Sequence, residues 1–416
     1  MPIPKDRMYL KFRLYGFLKN QRFFDPFIIL FFREMGMSFL DIGLLFSIRE
    51  ISTNILEIPT GFIADSLGRR KAMVSAFSSY LIAFALFYLF PSFWVYALAM
   101  VLYASGEAFR SGTHKAMILE YLRIKGIEHM KVEYYGHTRS ASQFGSAVSS
   151  LIAVAIVFYS GTYRPVFLLS MIPYVMALLL MLSYPKYLDG AVETKGASPV
   201  ERMKIRFRST WKDFMDMFRN REALRAIGNS AVFDGFFKGS KDYLQPILKA
   251  QALGIPVFLY LSGYQRTALI VGIVYFFLYL LTSMASRSAG KFTERVELKK
   301  GINLTFIAGA LLLLISGIFT HLGMYFISIS AFIGLYIVQN LRRPMTVGYI
   351  SDRISHRTMA SGLSVESQLR TIIMALVAPF VGYLADIYGV GYALAIIAAL
   401  LLFIYIPLRI DENKTK

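Results

Sequence analysis

The sequence predicts an all-α membrane protein of twelve transmembrane helices in two six-helix bundles, with both termini in the cytoplasm. Three observations predict it. The 416 residues are 56% hydrophobic and only 17% charged, with a mean hydropathy of +0.51, against roughly 45–50% and about 25% in soluble domains. Crossing about 30 Å of hydrocarbon takes roughly 20 helical residues, and apolar stretches of that length recur along the whole chain. Finally, Lys and Arg concentrate in alternate loops, the pattern that keeps basic loops on the cytoplasmic side.

Apolar runs bounded by turn signals place the first six spans at 12–35, 40–63, 72–90, 93–120, 134–160 and 164–184. The second six fall at 222–247, 255–285, 301–319, 322–349, 357–384 and 389–409. The first span is expected to be retained, because Lys5, Arg7, Lys11, Arg13, Lys19, Arg22 and Asp25 leave no clean apolar region followed by a small-residue cleavage site. One set of loops carries only Arg33, Arg164 and Lys249, while the other holds the N-terminal cluster, Arg69 to Lys71, Arg123 to Lys131 and the basic tail. Residues 1–185 are therefore expected as one bundle, 186–221 as a cytoplasmic linker and 222–416 as the second bundle. In the linker Val200, Met203, Phe207, Trp211, Phe214 and Phe218 step by three and four among basic residues. That is an amphipathic basic helix fit for an anionic lipid surface, read here as a tether.

Composition also excludes function classes. The net charge of +19 does not imply nucleic acid, because the basic residues punctuate apolar runs instead of forming a soluble face. The chain has no cysteine, which removes disulfides and thiolate metal sites. Neither H-E-x-x-H nor the phosphate loop G-x-x-x-x-G-K-[ST] occurs. No enzyme, metal or cofactor is expected. The expected partners are a small-molecule substrate and membrane lipids, with the chain acting as a monomer.

At the end of the second span stands GFIADSLGRRK, with Gly61, Asp65, Gly68, Arg69, Arg70 and Lys71 at its defining positions. Its glycines permit a tight turn and close approach, Asp65 can face a helix N-terminus, and the basic triplet anchors the turn. This loop resembles the signature of the major facilitator superfamily, in an uncharacterised prokaryotic branch. The resemblance implies a secondary transporter in the cytoplasmic (inner) membrane, with these six residues helping to set its inward and outward states. A second stretch, GYLADIYG at Gly382 to Gly389, echoes Gly61 to Gly68 without the basic triplet and is read as a helix-end turn with no gating role. The fifth span lacks the Gly-Pro pattern of the family's drug and proton antiporters, reading RSASQFGSAVSS instead.

A charge at mid-membrane costs roughly 2.5–3.5 kcal/mol on insertion scales, so intramembrane charges face the bundle interior and pair or act. Glu107 and Arg110 share a face of the fourth span, with His114 expected one turn further on. Asp234, Lys238, Lys241 and Asp242 share a stripe of the seventh, and Glu366 and Arg370 form an i,i+4 pair in the eleventh. Asp25, Glu50 and Arg266 complete the set expected to bind substrate or couple protons. Arg22, His114, Lys115, Arg139 and Arg342 are expected instead to snorkel to water. The family resemblance implies that the first, fourth, seventh and tenth spans line a central cavity. Several guanidinium groups there favour a polar anionic or zwitterionic solute, moved by alternating access and coupled to protons through Glu107, Asp234 and Glu366. The alternatives are a multidrug/proton antiporter and, in another class, a non-transporting sensor or assembly protein of the same fold.

Overall fold

The computed structural model describes residues 6–189, 221–256, 259–353 and 359–411. Among these every regular element is helical and there is no strand. Contacts gather the chain into two compact units: residues 6–28 with 48–189, and residues 29–47 with those from 221 onward. The expected linker helix from Val200 to Phe218 lies outside the described residues.

The N-terminal stretch forms α1 (Arg7–Leu18), which starts where the Asp6 carboxylate accepts from the Tyr9 N–H at 2.9 Å, an N-cap. It ends at Leu18, and after a 3-10 turn at Asp25–Phe27 the chain resumes as α2 (Ile28–Glu34). The continuous first span expected over 12–35 is thus interrupted, with Pro26 in the turn's opening positions, where a missing N–H costs nothing. Then follow α3 (Phe39–Leu67), α4 (Arg69–Leu89), α5 (Phe93–Arg110), α6 (Thr113–Ile124), α7 (Lys131–Ser160) and α8 (Pro165–Leu182). The expected fourth span is broken between α5 and α6, because Gly112 takes φ +74, a left-handed conformation open to glycine. His114 therefore begins a new helix instead of continuing the face of Arg110.

The second unit contains α9 (Arg221–Ser240), α10 (Leu244–Gly254), α11 (Gly263–Val296) and α12 (Leu298–His321), then α13 (Tyr325–Arg353), α14 (Met359–Tyr388) and α15 (Val390–Leu408). Its first span is also split, by a 3-10 turn at Lys241–Tyr243. The eighth span starts later than expected, at Gly263, where Ser262 and Gln265 make a capping box.

Helix pairings repeat between the units. In the first, α4 packs on α5 and α8 while α1 packs on α7; in the second, α12 packs on α13 and α15 while α9 packs on α14. Stretches of α4, α7, α8, α11, α12, α14 and α15 are long and apolar enough to cross a membrane. The helices outside that set include α3, α5, α9 and α13, which carry Glu50, Glu107, Arg110, Asp234, Lys238 and Arg342 of the charges singled out from the sequence.

Candidate functional site

In the first unit an aromatic core supports a polar site. The rings of Tyr80, Phe84, Tyr103 and Tyr174 pack together, edge-on for Phe84 with Tyr174 at 4.9 Å and for Tyr80 with Tyr103 at 5.1 Å, and stacked for Tyr80 with Phe84. Above them Glu107 of α5 is held from three sides. Its Oε1 accepts from Arg22 Nη2 and from the Tyr80 hydroxyl, each at 2.7 Å, and its Oε2 accepts from Arg110 Nη2 at 2.5 Å. Arg110 Nε also donates to the Tyr80 oxygen at 3.2 Å. Two guanidiniums thus share one carboxylate. Arg22, expected to snorkel, is spent on this cluster.

Of two neighbouring cavities, the smaller is lined by members of this cluster. One, of about 310 Å³, is walled by α1, α6 and α7, with Lys19, Asn20, Arg139, Ser142 and Gln143 on its surface. The other, of about 260 Å³, is lined by Glu57, Glu107, Arg110, Ser111 and Lys115 among others. Tyr15, Lys19, His114 and Tyr135 border both. His114 is buried with its ring stacked on Tyr15, centroids 3.6 Å apart, so snorkelling does not describe it either. Glu57 accepts from the Ser111 hydroxyl at 3.1 Å. Among the described residues Lys19, Lys115 and Arg139 make no ion pair, although Lys19 and Lys115 lie against the rings of Tyr15 and Tyr135.

The second unit arranges its charges differently. Asp234 of α9 accepts from Gln339 Nε2 at 2.8 Å and lies 3.7 Å from Arg370 Nη1. The same Nη1 stands 3.3 Å from Glu366, which also accepts from the Ser230 hydroxyl at 3.3 Å. Here two carboxylates share one guanidinium. Lys241 and Asp242 pair with each other at 2.6 Å inside the 3-10 turn, and Lys238 sits in the last turn of α9. Arg342 is the clearest departure from expectation, being fully buried instead of snorkelling. Its Nη1 donates to the Ile302 carbonyl at 2.5 Å and to Thr305 Oγ1 at 3.2 Å, and its Nη2 donates to the Asn229 side chain. Phe233 and Phe306 flank it at 4.8 and 5.2 Å. It ties α9, α12 and α13 together.

Three other expected site residues stand outside the cavity walls, Asp25 among them within electrostatic reach of Arg22. Asp25 opens the 3-10 turn, Glu50 pairs with Arg49 at 3.2 Å, and Arg266 stands in the first turn of α11. None of the three lines either cavity.

The signature loop is anchored within the first unit. Gly68 takes φ +97 between α3 and α4, and an added Cβ would stand 3.0 Å from Asp189. The Asp189 carboxylate accepts from the Arg70 backbone N–H at 2.7 Å, while Arg70 Nη1 donates to the Tyr184 carbonyl at 3.3 Å. Arg69 reaches Glu120 at 3.8 Å, and Lys71 is exposed. Gly61 faces open space, so the close approach expected there is not made. Asp65 lies within α3, its side chain outside the described set.

A family model described as Major Facilitator Superfamily matches residues 20–368. An uncharacterised MFS-type transporter of Bacillus subtilis (strain 168), YxaM, is 24% identical over 411 residues, covering 94% of each chain. Among solved structures, the nucleoside transporter NupG superposes with a TM-score of 0.77 at 12% identity, covering 98% of this chain and all of its own. A POT family transporter in complex with 5-aminolevulinic acid gives 0.68 at 15% identity, covering 95% of this chain and 92% of its own.

Proposed function

The chain belongs to the major facilitator superfamily of transporters, and on that premise we propose that it moves a small polar solute, anionic or zwitterionic, by alternating access coupled to protons. In this reading twelve spans form two six-helix bundles joined by a cytoplasmic linker, both termini are cytoplasmic, and the protein resides in the inner membrane of a prokaryote. No enzymatic step is involved.

The observation that carries the solute class is the charge of the cavities in the first unit. Four bases, Lys19, Arg110, Lys115 and Arg139, line them against two acids, Glu57 and Glu107. A lipophilic cation would meet a repulsive wall, while a carboxylate or phosphate finds charge-assisted donors. Proton coupling is assigned to Asp234 and Glu366, which stand close enough to share the Arg370 guanidinium, so that a change in the pairing changes which of them holds a proton. Glu107, already holding three donors, is assigned an anchoring role. Thermal-shift screening of the purified protein against organic anions, zwitterions and lipophilic cations tests the reading. Stabilisation by anions or zwitterions that vanishes on Lys19→Gln supports it, and stabilisation by lipophilic cations alone would replace it with the drug-antiporter alternative.

A further inference from the structure

The helix that ends in the signature loop is also held at its opposite end, and by a copy of the same sequence. Gly61 to Gly68 reads GFIADSLG and Gly382 to Gly389 reads GYLADIYG, matching at both glycines and at the Ala-Asp pair. Each segment closes a helix on a glycine of positive φ, +97 at Gly68 and +84 at Gly389, which caps the next helix. α3 has 29 residues, about 43 Å at 1.5 Å per residue, so its two ends stand a membrane thickness apart.

At the far end, the carboxylate of Asp386 accepts from the backbone N–H groups of Phe39 and Leu40, at 2.9 and 2.8 Å. These are first-turn donors with no intrahelical partner, at the positive end of the helix dipole. Arg33 lies 3.9 Å from the same carboxylate and covers the Phe39 ring at 4.5 Å. Gly382 permits the approach, since a Cβ there would run into the Phe39 carbonyl. Ser38 and Asp41 satisfy each other's backbone N–H groups at 3.0 Å, so Asp386 supplies only what that local cap leaves open. Its two bonds are solvent-exposed, and water can take over both N–H groups when they part. Such a contact suits an element that must release.

We propose that GYLADIYG is a second latch on α3, with Asp386 as a positioning residue of the transport cycle that holds the end of the helix remote from the signature loop. This proposal gives the helix-end turn a gating role that the sequence reading did not assign, and it rests on the alternating-access reading above.

Because the native chain has no cysteine, single reporters can be placed freely. Buried Met37, beside the latch, and exposed Ser111, on the cavity wall of the first unit, are each changed to Cys in separate proteins. Maleimide labelling rates are then read in lipid nanodiscs. Asp386→Asn should speed labelling of the Met37→Cys reporter about tenfold, the loss of hydrogen bonds to a charged acceptor, and slow labelling of the Ser111→Cys reporter. Asp386→Glu should restore both rates, and Arg33→Gln should move them the same way by less. A rise at both reporters, as from general loosening, or no change at either, would overturn the latch. Asp65→Asn, at the opposite end of α3, should shift the reporters in the reverse sense. If it does so while Asp386→Asn does not, the latch alone fails; if neither variant moves the reporters reciprocally, alternating access fails as well.

Discussion

The two units solve the problem of buried charge in opposite ways. In the first, two guanidiniums share one carboxylate at Glu107, and Lys19, Lys115 and Arg139 line cavities without an ion pair among the described residues. In the second, two carboxylates share one guanidinium at Arg370, and Lys241 is matched by its neighbour Asp242. Cavity-lining donors suit an anion, and acids close enough to share one base suit a proton that moves between them. The comparison teaches that one fold, repeated, can pair its buried charges in two ways, which fits the proposal that the two units take different parts in coupled transport.

The largest expected effect comes from breaking the tighter of the two clusters. Glu107→Gln leaves Arg22 and Arg110 without their shared counter-charge. Loss of one member of a buried pair costs about 3–5 kcal/mol, and because these side chains keep 20–24% exposure we expect about 2–3 kcal/mol, read as a lower melting temperature in detergent. The same change at Glu366, whose contacts are looser, should cost under about 1 kcal/mol. Equal losses at the two positions would erase the distinction between the units.

The next effect concerns binding. Lys19→Gln and Arg139→Gln should each weaken a stabilising organic anion about tenfold or more, the contribution of a charge-assisted hydrogen bond, while leaving the melting temperature of the unliganded protein unchanged. Titration calorimetry checks this. Third, Asp234→Asn with Glu366→Gln should abolish solute movement driven by an imposed pH gradient in proteoliposomes but leave anion binding in place. Retained proton-driven movement would remove the second unit from the coupling. The smallest effect is local: Gly68→Ala, at φ +97, should cost about 1 kcal/mol through strain in the signature loop.

Much of the fold was legible because apolar runs of helical length announce themselves. Among the described residues the expected stretches fall mainly on helix, and seven helices are long and apolar enough to cross a membrane. The interruptions were not legible. At Lys19 to Phe24 and at Lys241 to Tyr243 the polar residues keep a helical spacing, so a periodicity argument runs straight through them. At Ser111 and Gly112 the glycine was a signal that the surrounding helix-compatible pattern outweighed.

Site residues divide along the same line. Glu107 with Arg110, and Glu366 with Arg370, are local pairs that spacing alone brings together. Lys19 was absorbed into the N-terminal basic cluster that orients the chain, because its neighbours on the cavity wall, His114 and Arg139, are distant in sequence. Arg342 resembled a snorkelling residue for the same reason: Asn229, Ile302 and Thr305, which satisfy it, come from other helices. The contact of Asp386 with the start of α3 was hidden too, since the echo at Gly382 to Gly389 shows a motif but not the helix end it faces.

The central claim, that the first unit receives an anion while the second handles the proton, is tested most directly by thermal-shift titration of one stabilising anion across pH on three proteins. For the wild type the account predicts stabilisation that varies with pH. For Lys19→Gln with Arg139→Gln it predicts none, and for Glu366→Gln it predicts stabilisation that no longer varies with pH. Undiminished stabilisation of the Lys19→Gln, Arg139→Gln protein would contradict it.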